Sequence, residues 1–409
     1  MLRRVKRLSG LGIAVSILTG LLAGCWDSQD IDNRAIILAI AIDKVKKDEA
    51  VKDEKVTHLK APPTLKGKMI RITVQIAVPG RVPLGPGEAS TGGGKGSSRL
   101  PVWIVKVYGY TIDDALNNLQ QQIAEPRTLI HLRVIVVNEE IAKSGLQDLN
   151  DYFRRNPQVR RSTWLLVSDV EAAKLLSVAP PLERVPALYL LAMIEKSAQM
   201  GKFPKDYLGV FWCAESRLGQ DGYLPYVSIR EDENIFIRGL AYFNDSKMAG
   251  HTEPFQIGLY MAAKGMDPGG YSALLQVPDV GIVVTNTTRR TTKMKASIVN
   301  GKPHVELFIH LDVILKEKIG PIHTLDHPGK IKRVEKEVEK LANTEILRLI
   351  RQTQDKKSDV FGIGELFRAH KRSYWNQNVK SKADWKKVYP TVTFTVHTHV
   401  DMRRIGLSL

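Results

Sequence analysis

Apolar side chains along this chain follow two different periods. Continuous apolar runs of strand length occur at Ala35–Ile42, Met69–Val78 and Leu132–Val137, and they predict β-strands. Residues 391–400 alternate between apolar and polar side chains, which predicts a strand with one buried and one solvated face. A further strand is predicted at Thr163–Val167. The chain is therefore expected to contain both strands that are buried on two faces and strands with one solvated face.

Helical spacing dominates other segments. Apolar residues close to helical spacing predict a long amphipathic helix over Ile331–Gln354, with a charged and solvated opposite face. The residues expected on its apolar face are Ile331, Val334, Val338, Leu341, Ile346 and Leu349. Thr111, with an acid three residues later, has the pattern of a helix N-cap. That helix is expected to bury Ala115, Leu116, Leu119 and Ile123. Shorter helices are predicted at 146–155, from Asp169, through 185–194 to about Gly201, and at 253–264 before Gly265.

Two hairpins follow from turn residues. Asn300-Gly301 lies between the strand segments 294–299 and 304–315, and this pair accepts the positive φ angles of a tight turn. Asn244-Asp245-Ser246 separates the strand runs 235–243 and 247–250, which predicts a second hairpin.

The order of these elements predicts a mixed αβ (α+β) fold: an elongated, multi-domain protein in which each domain is a small mixed or antiparallel sheet flanked by helices. The expected divisions are a signal peptide at 1–24, an N-terminal domain at 25–201, a small middle domain at 202–286 and a C-terminal domain at 287–409. The middle region is small enough to pack against either neighbour. The Gly-, Ser- and Pro-rich segment 81–101 is expected to be a loop.

The first 25 residues have the pattern of a secretory signal. Basic residues precede an apolar run from Leu11 to Leu22, which at roughly 12 residues is shorter than the about 20 that a membrane span needs. Leu22-Ala23-Gly24-Cys25 is similar to a bacterial lipobox, so Cys25 is the predicted lipidation site and the first mature residue. Two acyl chains anchor a protein stably where one is marginal. The alternative is an ordinary cleaved signal with an incidental cysteine.

Composition limits the kinds of binding partner that the protein is expected to have. The formal net charge of the chain is +17, and four of these positive charges lie on basic residues of the predicted signal peptide. Such a surface suits anionic lipids or cell-wall polymers, although a diffuse basic surface without a specific partner is an equal alternative. Arginines and aromatic residues are not interleaved as in nucleic-acid-binding proteins, so no nucleic-acid partner is expected. Cys213, the second of two cysteines, is expected to be a buried small apolar residue.

No catalytic chemistry stands out. His397 and His399 share the polar face of the last predicted strand as a possible ligand pair, and exposed strand histidines explain them equally well. His323 and His327 are expected to be polar loop residues. The metalloprotease, paired-cysteine and nucleophile-elbow motifs are absent from the sequence. We therefore predict a non-enzymatic protein without catalytic, metal-binding or cofactor-binding residues.

Several segments, in order along the chain, are similar to those of one family: Gly24–Asp27, Asp30-Ile31, Ile42-Asp43, Gly109–Thr111 with Ala115-Leu116, His131–Val137, Gly239–Phe243 with Lys247–Gly250, Ser358–Gly364, Trp375, Trp385 and Arg404–Gly406. Together they resemble the Ger(x)C spore germination lipoproteins, which are C-type subunits of nutrient germinant receptors. Lys371–Tyr374 departs from the family, which commonly has a proline before the tryptophan that matches Trp375, and the glycine-rich insertion at 92–96 is also individual.

The resemblance implies a membrane role without a membrane span. It implies an extracytoplasmic subunit that is lipid-anchored through Cys25 on the outer face of the cell membrane. In a dormant spore, this membrane is the inner membrane. Its expected partners are the A-type and B-type receptor subunits, and its expected role is to support assembly or signalling. Direct nutrient binding stays open. Alternatives are a solute-binding lipoprotein of a transporter, usually built from two similar lobes, and an exported cell-wall enzyme.

Overall fold

Helices flank two β-sheets in the part of the chain that the structure describes, which confirms the mixed αβ class. The structure is a computed structural model that describes residues 34–45, 57, 59–60, 64, 69–78, 101–178, 183–231, 234–319 and 328–404. The predicted signal peptide, Cys25 and almost all of the predicted loop at 81–101 lie outside the described residues.

Within the described ranges, the first sheet has nine strands in the order β3-β2-β1-β5-β6-β7-β8-β9, with β4 paired to β1. Strands β1, β5, β6 and β7 are parallel, and antiparallel strands flank them on both sides. The strands are β1 (Ala35–Lys44), β2 (Ile70–Ala77), β3 (Val102–Gly109), β4 (Arg127–Thr128), β5 (Val134–Asn138), β6 (Trp164–Ser168), β7 (Tyr223–Arg230), β8 (Asn234–Asn244) and β9 (Lys247–His251).

Among the described residues, seven helices accompany this sheet. They are α1 (Ile112–Gln120), α2 (Glu139–Ser144), α3 (Gln147–Arg155), α4 (Ala172–Leu175), α5 (Pro186–Gln199), α6 (Leu208–Ser216) and α7 (Pro254–Ala263). The Thr111 side chain accepts a hydrogen bond from the Asp114 backbone N, which confirms the predicted N-cap. Ile123 is buried as predicted, although it follows the end of α1.

The central strands are buried on both faces, which explains their unbroken apolar runs. Ile40 and Ile42 of β1 belong to one apolar cluster, together with residues of α1, α3 and α6. Ala39 and Ala41 of the same strand belong to a second cluster, together with residues of α4 and α5. The second cluster continues through α7 into the second sheet, so one apolar core joins the two sheets.

The second sheet, as far as the structure describes the chain, has four strands in the order β10-β11-β12-β13. Its strands are β10 (Ser272–Val277), β11 (Gly281–Val299), β12 (Lys302–Ile319) and β13 (Thr393–Arg404). Asn300 (φ 50°) and Gly301 (φ 74°) form the β11–β12 turn, which confirms that hairpin. Between β12 and β13, which are parallel, come α8 (Pro328–Asp355), α9 (Ile363–His370), α10 (Arg372–Asn378), α11 (Lys382–Val388) and a 3₁₀ turn (Tyr389–Thr391).

Helix α8 also covers the backbone edge of β13. Asn343, Glu339 and Glu335 accept hydrogen bonds from the backbone N of Thr398, Val400 and Met402, at 3.0, 3.1 and 2.9 Å. Four helical residues advance about 6.0 Å and two strand residues about 6.6 Å, so the two ladders stay in step. These side chains occupy donors that an edge strand would otherwise leave open.

Two helix predictions need correction. The helix expected to open at Asp169 begins at Ala172, because the Asp43 carboxylate of β1 accepts hydrogen bonds from the backbone N of Ala172 and Ala173. Asp169 instead accepts from Ser228 and Arg238. In α8, Leu341 is exposed and its neighbour Ala342 is buried. Both cases depend on contacts outside the local sequence.

The strands of the predicted middle domain, 202–286, are divided between the two sheets. Strands β7, β8 and β9 extend the first sheet, whereas β10 and the start of β11 begin the second. The predicted β8–β9 hairpin is confirmed, but within the described residues this region has no sheet of its own. Its strands therefore pair with neighbours on each side. How many units fold independently stays a prediction.

Candidate functional site at the junction of the two sheets

A buried carboxylate pair lies where the C-terminal helices meet the first sheet. Asp221 comes just before β7, and Asp359 comes just before α9; they are 2% and 1% exposed. Asp359 accepts hydrogen bonds from the backbone N of Ile363 (3.0 Å) and Gly364 (2.8 Å) and from Trp385 Nε1 (2.9 Å). Its own backbone N donates to Asp221 Oδ2 at 3.0 Å.

Lysines of α11 balance this charge. Lys382 Nζ lies 3.1 Å from Asp221 Oδ1 and 3.7 Å from Asp245 Oδ1, in the β8–β9 turn. Lys386 forms an ion pair with Asp245 as well. Ser358 donates a hydrogen bond to the Phe243 carbonyl at the end of β8. These contacts connect helix α11 to the β8–β9 hairpin of the first sheet.

Close backbone approach explains the glycines of this segment. A Cβ on Gly364 would lie 2.5 Å from the Gly219 Cα and 2.6 Å from the Trp385 ring. Gly362 has a φ of 71°, a left-handed conformation that glycine adopts without strain. Gly362 and Gly364 therefore serve backbone geometry, and the buried Trp385 packs against Gly364.

Burial dominates the electrostatics of the pair. Burial, together with the charge of Asp221, raises the pKa of Asp359 to about 7, although the hydrogen bonds from Gly364, Ile363 and Trp385 lower it. Desolvation also lowers the pKa of the nearby Lys264 amine. Because protein donors occupy both oxygens of Asp359, the arrangement suits a structural connection between the halves rather than a nucleophile or a general base.

A second feature is an apolar groove, formed by α7, β10 and α8, with a volume of about 380 Å³. Phe255 and Leu274 are exposed on its rim, Leu274 to 67%, and Leu341 lies beside them. A group of exposed apolar side chains indicates an interaction surface, whereas single exposed apolar residues are ordinary on protein surfaces.

The predicted site residues are distributed as follows. Cys25 lies outside the described residues, as do His323 and His327. Cys213 is exposed, so the prediction of a buried thiol is wrong. Its neighbours Phe211, Trp212 and Ala214 are buried in α6, and an apolar run this short gave no period that could separate the exposed position.

His397 and His399 do not converge on one point. The His397 ring stacks on Phe308, with centroids 5.1 Å apart, whereas His399 lies beside His310 and Asp401. Sequence reasoning missed His310 because the parallel β12–β13 register, which places it opposite His399, joins segments almost ninety residues apart. The alternating pattern of both strands was the only available signal.

Two family descriptions match the chain in succession. Residues 27–229 match "Spore germination protein N-terminal domain", and residues 238–406 match "Spore germination B3/GerAC like, C-terminal". This chain belongs to the GerAC family of spore germination proteins. The two GerAC matches meet at the β7–β8 hairpin, so the C-terminal match supplies β8 and β9 to the first sheet.

Curated GerAC relatives are similar over most of their length. Spore germination protein GerQC of Bacillus cereus is 27% identical, over 78% of this chain and 86% of that protein. Putative spore germination protein YfkR of Bacillus subtilis is 25% identical, over 95% and 94%. Spore germination protein KC of Bacillus subtilis is 24% identical, over 97% and 96%. These matches confirm the family resemblance.

A solved structure shares the fold. The crystal structure of the GerBC protein superposes with a TM-score of 0.55 and 16% identity, over 82% of this chain and 94% of that one. Among the residues that the structure describes, none of the helices has the length and apolar character of a membrane span.

Proposed function

We propose that this chain is a lipid-anchored, extracytoplasmic and non-enzymatic subunit of a spore nutrient germinant receptor, on the outer face of the inner spore membrane. The observation that carries the proposal is the match of both halves to the GerAC family. The lipobox-like Leu22–Cys25 supports the anchor. In this role the chain contacts the A-type and B-type subunits and supports assembly or signalling.

Metabolic labelling with a clickable fatty acid tests the anchor. We expect the native chain to be labelled and Cys25→Ala to be unlabelled and released from the membrane fraction. Cys213→Ala is the matched control because its thiol is exposed, and it should be labelled like the native chain. Equal labelling of Cys25→Ala and the native chain would contradict lipidation at Cys25.

Crosslinking tests the partners. A C-terminally tagged copy, crosslinked in spore membranes and analysed by mass spectrometry, should recover two polytopic receptor subunits. The crosslinked peptides would identify the contact surface. Recovery of a transporter permease instead would favour a solute-binding lipoprotein, although the nine-stranded and four-stranded sheets are unlike the two similar lobes of that class.

Germination assays test the role itself. A strain lacking this chain and all its paralogues should lose the response to nutrients and keep the response to a non-nutrient trigger. A normal nutrient response in that strain would contradict the proposed function.

A further inference from the structure

Histidines and carboxylates lie on adjacent rungs of the solvated face of the second sheet. The parallel register of β12 and β13 places His310 opposite His399 and Asp312 opposite Asp401. The imidazole centroids of His310 and His399 are 5.4 Å apart. Both strands are held by the sheet, so the separation of these side chains is set by the backbone.

The donor atoms of these side chains lie close together. His399 Nε2 lies 3.4 Å from Asp401 Oδ1, and His310 Nε2 lies 3.6 Å from Asp401 Oδ2. One donor atom from each of the three residues lies within 4.8 Å of the other two. Tetrahedral zinc with bonds of about 2.0–2.1 Å needs donors about 3.3–3.4 Å apart. Side-chain rotations that bring the three donors from within 4.8 Å to this spacing would complete such a geometry.

Surrounding charges orient this set. Glu339 Oε1 of α8 lies 3.5 Å from His399 Nδ1, on the side of the ring away from Asp401, and a carboxylate in that position is common behind metal-binding histidines. Arg403 lies 2.8 Å from Asp312 and 3.1 Å from Asp401. Three carboxylates against one guanidinium leave the cluster negative, which suits a divalent cation.

We propose that His310, His399 and Asp401 bind a divalent transition metal of the Zn²⁺ class, with water in the remaining position. Two imidazoles and one carboxylate favour such an ion over Ca²⁺ or Mg²⁺, which prefer oxygen ligands alone. The bound ion would fasten β13 to β12 by side chains as well as by backbone. Ion pairs with protonated histidines are the competing explanation of the same contacts, and they need no metal.

Calorimetric titration with ZnCl₂ tests the proposal. The full chain, with a tag that lacks histidine and with Cys213→Ala to remove the exposed thiol, is purified in detergent and treated with EDTA. We expect saturable binding near one ion per chain, and a loss of at least about tenfold in affinity for His399→Ala and for His310→Ala. His397→Ala is the matched control, since His397 lies one rung away, and it should bind like the parent.

Two further measurements distinguish Zn²⁺ binding by these three residues from non-specific binding of Zn²⁺ elsewhere on the chain. Glu339→Gln keeps an acceptor for the Val400 backbone N and should weaken Zn²⁺ binding by about 10–100-fold. Zn²⁺ should raise the Tm of the parent and of His397→Ala but not that of His399→Ala, while circular dichroism without metal checks that each variant is folded. Absence of saturable binding, or equal affinity in the parent, His310→Ala and His399→Ala, would overturn the proposal.

Discussion

The two sheets bury their strands in different ways. All five residues of β6 in the first sheet are buried, and apolar clusters cover both faces of that sheet. In β13 of the second sheet, buried Val396, Thr398 and Val400 alternate with exposed His397 and His399. The first sheet therefore contributes mainly stability, whereas the second sheet has a face on which polar side chains can be arranged for binding.

The largest loss of stability is expected from a substitution in the core of the first sheet. Ile135 of β5 is fully buried, so Ile135→Ala should lower the free energy of unfolding by about 2–5 kcal/mol through lost apolar burial and a cavity. Lys293→Ala, at an exposed position of β11, should change it by no more than about 0.5 kcal/mol. Urea denaturation measures both. Similar losses in the two variants would contradict the difference between the sheets.

The junction between the sheets should respond to pH. The folded state holds a proton on Asp359 up to its pKa of about 7, whereas the unfolded chain releases it near the ordinary value of 3.8. Stability should therefore fall, by at most about 1.4 kcal/mol for each pH unit, as the pH rises from about 4 to about 7. Burial raises the pKa of Asp206 as well, which acts in the same direction.

Asp359→Asn isolates that contribution. The asparagine does not titrate, so the stability of the native chain relative to this variant should decline across the same pH interval. Chemical denaturation at pH 5, 6, 7 and 8 measures the difference. Parallel stability curves for the two proteins would show that Asp359 is ionised throughout.

The β11–β12 turn should tolerate only some substitutions. Gly301 has a φ of 74° and open space where a Cβ would lie, so Gly301→Ala should cost about 1–2 kcal/mol through backbone strain alone. Gly301→Asn should cost less, because asparagine enters the left-handed region more readily. Thermal denaturation compares the two. An alanine variant as stable as the native chain would show that the turn rearranges.

The smallest expected effect concerns the edge of the second sheet. Asn343→Ala removes the acceptor for the Thr398 backbone N and should cost about 0.5–1.5 kcal/mol. Hydrogen exchange at Thr398 should accelerate. Lys340→Ala, on the exposed side of the same helix, should leave that exchange rate unchanged. Equal exchange in all three proteins would mean that this bond contributes little protection.

Local chemistry explains which elements could be predicted. Thr111 caps a helix through Asp114, and Asn300-Gly301 form their own turn, so a few neighbouring residues determine each feature. Asp43 bonds to the start of α4 across 129 residues of chain, a contact that no local pattern reveals.

The same limit applies to the candidate sites. The backbone of Asp359 bonds to Asp221, 138 residues away, and His310 faces His399 only through the β12–β13 register. Alternation correctly placed His399 on a solvated face, but it could not identify the residue opposite. The family resemblance identified the segment Ser358–Gly364, and only the structure shows that hydrogen bonds to Phe243 and Asp221 connect it to the first sheet.

Strands β8 and β9 complete the first sheet although they belong to the second family match. A chain without these two strands would carry β7 as an open, apolar edge. An open strand edge is a template for pairing with other chains. The first family region on its own should therefore be prone to aggregation, and the β8–β9 hairpin protects it.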